Sequence, residues 1–227
     1  MSGEFWAAIV GAIVGSISGG FVTWLLQRNQ DRRQTLDRNK GLARSLIFKL
    51  MRIHANMNGF KIHVDECAAN AEREGLGLGW QSLRAIGNLP ERVVFSPQEM
   101  AYLLSLGDLN LFNKVLSLDV IHSSTVGIFE LYKERRLALT DLLPASMQGQ
   151  VGTAEFDGQQ RAFFAPKFTE LDILVSDIRG RVEIDAKESK EALEQSAVAV
   201  RQTLGAKFSL EFKQPDDQSR SRPPVPI

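Results

Sequence analysis

The sequence predicts an all-α protein: one N-terminal transmembrane helix continuing into a cytoplasmic antiparallel bundle of three long helices and one short one. Three observations carry this. Phe5 to Leu26 is an unbroken run of 22 uncharged residues, basic residues follow it at once, and apolar residues then recur at spacings of three and four with few prolines.

The uncharged run comes first. At about 1.5 Å per residue it makes a helix of roughly 33 Å, enough to cross a hydrocarbon core of about 30 Å. Trp6 and Trp24 stand near its ends, where amphipathic rings favour the water–lipid boundary. A secretory signal needs basic residues ahead of the apolar run and a small-residue cleavage site behind it, and neither is present. A phosphate loop needs a lysine near its end, yet no Lys or Arg precedes Arg28. Gly11, Gly15 and Gly19 form two overlapping Gly-x-x-x-Gly units, flanked by the small-residue row Ala8, Ala12, Ser16 and Gly20. Small residues four apart let helix backbones meet inside lipid, so this row is the candidate oligomer interface.

Arg28, Arg32, Arg33, Arg38, Lys40, Arg44, Lys49 and Arg52 follow, opposed locally by Asp31 and Asp37. Basic residues beside a span stay on the cytoplasmic side, which puts Met1–Glu4 outside and the remainder inside, at a plasma (inner) membrane. Trp6, Trp24, Arg28, Arg32 and Arg33 are the expected membrane-interface anchors. A nucleic-acid footprint is the competing explanation of such a cluster, but its position directly after the span makes the topological role sufficient. The expected division is a leader (1–4), span (5–26), basic stalk (27–39), bundle (40–213) and Pro-rich disordered tail (214–227).

Composition fits a folded domain beyond the stalk, with 44% hydrophobic and 24% charged residues and a formal net charge of zero. Cys67 is the single cysteine, which excludes an internal disulfide framework and agrees with a reducing compartment.

The first long helix carries Ala43, Leu46, Leu50, Ile53, Met57, Phe60, Val64, Cys67 and Ala71 on one seam, with Ile47 and Met51 widening it. With no proline before Pro90, span, stalk and seam read as one rod, ended by the glycines from Gly75 to Gly79. Ser96-Pro97-Gln98-Glu99 predicts a short helix by its cap, proline and glutamate, breaking at Gly107. A second long helix is expected over Leu109–Leu143. Its seam is Leu111, Val115, Leu118, His122, Thr125, Phe129, Tyr132, Leu139 and Leu143, with Phe112, Leu116, Val126 and Leu137 beside it. Pro144 stops it, and 145–160 reads as a loop. The third is expected from near Pro166 to Leu204, with Leu171, Val175, Ile178, Val182, Ala186, Ser189, Leu193, Ser196 and Val200 facing inward. Similar lengths suggest an up-down-up order, which would bring Phe163 and Phe164 to the membrane-proximal end. Lys207–Phe212 alternates weakly and is a candidate to pair with Val93–Phe95.

The search for chemistry returns no zinc-binding His-Glu-x-x-His, no Gly-x-Ser-x-Gly elbow and no Walker loop. His63 and Cys67 are four apart, but two ligands do not close a zinc site, and Cys67 already serves the seam. His54 and His122 read as core histidines bonded across the bundle. Glu183, Asp185 and Lys187 are spaced like the acid-x-lysine end of a nuclease site, but on a helix they read as a solvated face. Arg220 to Pro226 fits a loose Arg-x-x-Pro-x-x-Pro pattern within a tail. No catalytic, cofactor or metal residue is therefore assigned, and no family resemblance emerges.

The expected function is a self-associating single-span protein whose cytoplasmic bundle senses or binds a protein partner, and a membrane-perturbing effector if assembly opens a polar path. A passive anchor recruiting a cytoplasmic partner is the second expectation. An enzyme with an unrecognised site is the third.

Overall fold

The computed structural model describes residues 2–77, 79–143 and 156–205, with side chains placed at Trp24 and from residue 26 onward. Four α-helices occur among the described residues: α1 (Ser2–Arg73), α2 (Pro97–Ser105), α3 (Leu109–Leu142) and α4 (Gly158–Leu204). A 3-10 turn, Trp80–Ser82, lies in the connector between α1 and α2. No strand is present among the described residues.

α1 is the expected single rod, 72 residues long and uninterrupted. It ends because Gly75 adopts φ +65, a left-handed conformation that costs a Cβ-bearing residue energy. The Leu76 amide then bonds the Ala71 carbonyl at 2.8 Å and the Gly75 amide bonds that of Glu72 at 3.2 Å, the paired closure of a Schellman cap. Every predicted seam residue of α1 from Ala43 to Ala71 is buried. Ile47 joins them, but Met51 is 40% exposed, because it lies on the opposite side of the helix.

α2 begins as its sequence demands. The Ser96 hydroxyl accepts from the Glu99 amide, and the Glu99 carboxylate accepts from the Ser96 amide. Gly107 at φ +80 follows its end. α3 is capped by Asp108 and stops at Leu142, with Leu143 extended (ψ 144) as a residue before proline must be. Its seam is buried from Leu111 to Leu139, whereas Leu116 and Leu137 are exposed: they flank the seam by more than the core's width.

α4 starts eight residues before the expected Pro166. Asp157 accepts from the Gln160 amide and Gln160 returns a bond to the Asp157 amide, a capping box that outranks the proline as a start signal. Pro166 thus sits inside the helix, where it cannot donate to the Ala162 carbonyl. Stacking of Phe164 on Phe168 (5.8 Å), and of Phe168 on Trp80 (5.4 Å), spans that interruption. All nine predicted inward residues of α4 are buried.

The order of the helices is not up-down-up. Asn56 meets His122, Phe60 stacks on Phe129, and Cys67 meets Arg84 close to Tyr132, so α1 and α3 run parallel. α4 opposes both: Lys114 pairs with Glu191 and Arg135 with Glu170, while His54 bonds Ser189. The cause is the 35-residue connection between α1 and α3 (residues 74–108), which is a crossover and not a turn. It runs back along α1, from Arg84 beside His63 to Glu99 beside Ser45. A fully extended chain covers about 3.3 Å per residue, so residues 83–96 alone can return some 45 Å. The bundle is therefore up, crossover, up, down.

Phe163 and Phe164 consequently lie at the end of the bundle remote from the N-terminal stalk, contrary to the up-down-up expectation. Val93 and Phe95 are buried and Val94 is 68% exposed, an extended segment alternating across the groove between α1 and α3. Its expected partner, Lys207–Phe212, lies outside the described residues, as do the 144–155 segment and the Pro-rich tail.

No helix among the described residues is long and apolar enough to cross a membrane. The expected span, Phe5–Leu26, falls almost wholly on side chains outside those described.

Candidate functional site

Polar groups thread the interior of this bundle, and their geometry decides what each can do. Nearest the stalk is Glu99 of α2, 2% exposed. The Ser45 hydroxyl donates to its Oε1 at 2.5 Å, and the Lys49 ammonium donates to Oε2 at 2.6 Å. Burial alone raises its pKa, but the bonds from Lys49, Ser45 and Ser96 outweigh burial and hold the carboxyl below the usual range. This node ties α2 to α1. Asp119 of α3 is pushed up by burial and eased back by Lys49.

Midway along the bundle sits His122, wholly buried. The Asn56 amide lies 3.1 Å from Nε2, and Nδ1 is buried with no hydrogen-bond partner among the described residues. Burial, then Arg52 and Arg92, lower its pKa. Protonation would put a charge on a ring whose buried Nδ1 has nothing to donate to.

Because His122 and His54 both have lowered folded pKa values, the unfolded chain binds more protons below about pH 6.5. Their stabilisation is complete above that pH and is lost as pH falls toward the folded pKa values. Asp119, raised on folding, acts in the opposite sense and loses stabilisation as pH rises. The urea midpoint of the full chain should therefore fall between pH 7 and pH 5.5, and His122→Gln should flatten that slope. An unchanged slope in the variant would remove His122 from the account.

His54 Nδ1 lies 3.0 Å from the Ser189 hydroxyl. A serine beside a histidine raises the question of a nucleophile, but Ser189 is fully buried and donates its proton to the Ala186 carbonyl at 2.7 Å. The pair is a cross-bundle clasp. Thr125 donates to Asp185 at 2.8 Å, and Arg181 approaches the same carboxylate at 3.5 Å. Asp185 is 5% exposed, so the solvated-face reading is wrong for it, while Glu183 and Lys187 are exposed as expected. A serine or threonine on one helix facing an acid or histidine on the next has no periodic signal, which is why sequence reasoning missed the Thr125–Asp185 clasp and named no partner for His54.

His63 and Cys67 are brought together, their Nε2 and Sγ 3.7 Å apart. Both are occupied by the connector: His63 bonds the Arg84 carbonyl at 2.8 Å, and Cys67 accepts from the Arg84 amide at 3.5 Å. No group of three or more potential metal ligands occurs among the described residues.

At the remote end, Arg136 bonds the Leu83 carbonyl and the Tyr132 hydroxyl and lies 5.8 Å over the Trp80 ring. Asp172 accepts from the Trp80 amide at 2.7 Å. A Cβ at Gly79 would come within 2.8 Å of that carboxylate, so a larger residue there would displace it from the Trp80 amide. Phe156, Phe163, Phe164 and Phe168 pack around this pin, with Phe163 54% exposed.

At the opposite end, residues 26–38 of α1 are exposed throughout. Trp24 is 50% exposed with the Arg28 guanidinium 5.2 Å over its ring, and Arg32 and Arg33 are exposed further along the helix. The side chains of Trp6, Gly11, Gly15 and Gly19 lie outside those described.

Two open clefts flank α1. One, of about 360 Å³, lies against the connector and includes Asn56, His63 and Asn88; the other, of about 450 Å³, lies against α2 and includes Arg38, Gln98 and Tyr102. No protein family, curated protein or solved structure matches this chain.

Proposed function

We propose that this chain is a single-span membrane protein that self-associates through Gly11, Gly15 and Gly19 and holds a helical partner-binding bundle away from the bilayer on a rigid stalk. The supporting observation is the single helix of 72 residues that joins the uncharged run to the bundle core. Thirteen consecutive exposed residues, 26–38, separate the two, a spacer of about 20 Å. The bundle begins only at Ala43, so its own core makes no use of the stalk. Arg28, Arg32 and Arg33 stand where cytoplasmic headgroups would meet them, each contributing about 1 kcal/mol against an anionic surface.

On this reading the bundle faces the cytoplasm and its aromatic end is presented to partners some 50 Å from the stalk. Its interior clasps fix three helices rigidly, which suits an interaction module.

The test places charge at mid-span. Ile13 and Ile17 are on the opposite side of the helix from Gly15 by the count of about 100° per residue, so their substitution spares the glycine row. Each arginine at the centre of a span costs about 2.5–3.5 kcal/mol. Wild-type protein should stay in the membrane pellet after an alkaline carbonate wash, and the Ile13→Arg, Ile17→Arg chain should move to the supernatant. Gln34→Arg, in the stalk, should remain in the pellet. Release of the wild type, or retention of the double variant, would refute the anchor.

A further inference from the structure

We infer that the cleft between α1 and α2, at the stalk end of the bundle, binds a phosphate ester. Its donors are Thr35, Arg38 and Asn39 of α1 with Gln98 and Tyr102 of α2.

The α1 wall is written in the sequence. Thr35, Arg38, Asn39 and Leu42 stand at i, i+3, i+4 and i+7, so they share one side of the helix just before the core begins at Ala43. Gln98 and Tyr102, four apart on α2, line the other wall. Between them lies the open cleft of about 450 Å³, within the range of small-ligand sites. Leu42, Pro97 and Ala101 give it apolar surface for an organic body.

Tyr102 is the group that calls for a ligand. It lines the cleft yet is 4% exposed, and its hydroxyl is buried with no hydrogen-bond partner among the described residues. Leaving such a hydroxyl unpaired is costly, so an acceptor brought into the cleft removes a standing penalty. Burial also pushes its pKa up, which keeps it a donor.

The charge of the cleft says what that acceptor is. Arg38 is the one charged residue lining it, and no carboxylate does. Arg38 makes no ion pair among the described residues, while its neighbour Asp37 is engaged by Lys40 at 3.6 Å. Glu99 turns away to Ser45 and Lys49. The remaining side chains offer amide and hydroxyl donors. Gln98 adds its own backbone amide in the first turn of α2, where the capping box engages only those of Ser96 and Glu99. Donors from two helices around one guanidinium suit a tetrahedral group with three terminal oxygens better than a planar carboxylate with two.

A free phosphate ester and a phosphomonoester lipid headgroup share this chemistry. Arg38 lies 12 residues beyond Leu26, about 18 Å along the helix, whereas the headgroup layer adds only about 5–8 Å to each side of the hydrocarbon core. The free ester is therefore the expected source.

The experiment titrates the full chain in nonionic detergent micelles with glycerol 3-phosphate, by calorimetry, and with glycerate as a carboxylate of similar size. The wild type should bind the phosphate and take glycerate about tenfold more weakly. Arg38→Gln should weaken binding about tenfold, the loss of a charge-assisted hydrogen bond. Arg44→Gln, exposed on the same helix outside the cleft, should change nothing. Tyr102→Phe should weaken binding about fivefold while the urea midpoint holds or rises, because the hydroxyl is unpaired in the free protein.

No binding by the wild type, equal affinity for glycerate, or equal losses in Arg38→Gln and Arg44→Gln would overturn the site. So would a Tyr102→Phe chain of lower midpoint and unchanged affinity. None of these micelle measurements involves the span, so their failure leaves the anchor reading standing. Repeating the titration in phosphatidylcholine vesicles, with and without phosphatidic acid, separates the sources. Binding that persists in both upholds the free ester, and binding lost only with phosphatidic acid upholds the headgroup.

Discussion

Phe129→Ala should be the most damaging single truncation in the bundle, lowering unfolding free energy by about 3–5 kcal/mol. The ring is 2% exposed and stacks on Phe60 at 4.5 Å between centroids, 15° from coplanar. That stack, with the Asn56–His122 contact, bridges α3 directly to α1. Its removal leaves a cavity that both helices must move to fill. Phe163→Ala, at a ring 54% exposed, is the control and should cost well under half as much. The measurement is urea unfolding of the full chain in detergent, followed by far-ultraviolet circular dichroism. Comparable losses at both positions would mean that the Phe60–Phe129 stack carries no special share of the core.

Glu99→Ala should be nearly as severe, at about 3 kcal/mol. The substitution strips the carboxylate from Lys49, Ser45 and the Ser96 amide together, and leaves a largely buried ammonium without its counter-charge. Glu99→Gln keeps the shape and some of the bonds, and should cost about half as much. The pH dependence carries a definite sign. Because the folded carboxyl is held below the usual range, the unfolded chain binds the extra proton as pH falls. The node's stabilisation is present above the unfolded value of about 4.3 and is lost as pH falls through the folded one. Comparing urea midpoints at pH 7 and pH 3.5 should therefore show a smaller acid loss in Glu99→Gln than in the wild type. An equal loss would assign the acid sensitivity to other carboxylates.

Local signals in this sequence were legible because each is written within a few residues. The Ser96–Glu99 capping box, the Gly75 stop, the break at Gly107 and the three-four rhythm of α1, α3 and α4 all depend on neighbours within one or two turns. They gave the helices, their buried faces and the core histidines. The start of α4 was legible too, in Asp157 and Gln160, but the proline nine residues into the helix drew the boundary forward.

What the sequence could not decide was direction. Three amphipathic helices of similar length pack equally well up-down-up or up-up-down, since their apolar faces do not record polarity. The choice is made by the connector, whose Trp80, Leu83, Val93 and Phe95 find their partners far away in the chain, at Tyr132, Arg136 and Phe168 and in the groove between α1 and α3. Only the tertiary structure brings those groups together, and with them Glu99 to Ser45 and Lys49, Thr125 to Asp185, and His54 to Ser189. Sequence by itself determined where helices form and which side is buried, because periodicity is a property of one segment. Their order in space and the polar clasps between them depend on pairs of segments, and no single segment's pattern contains them.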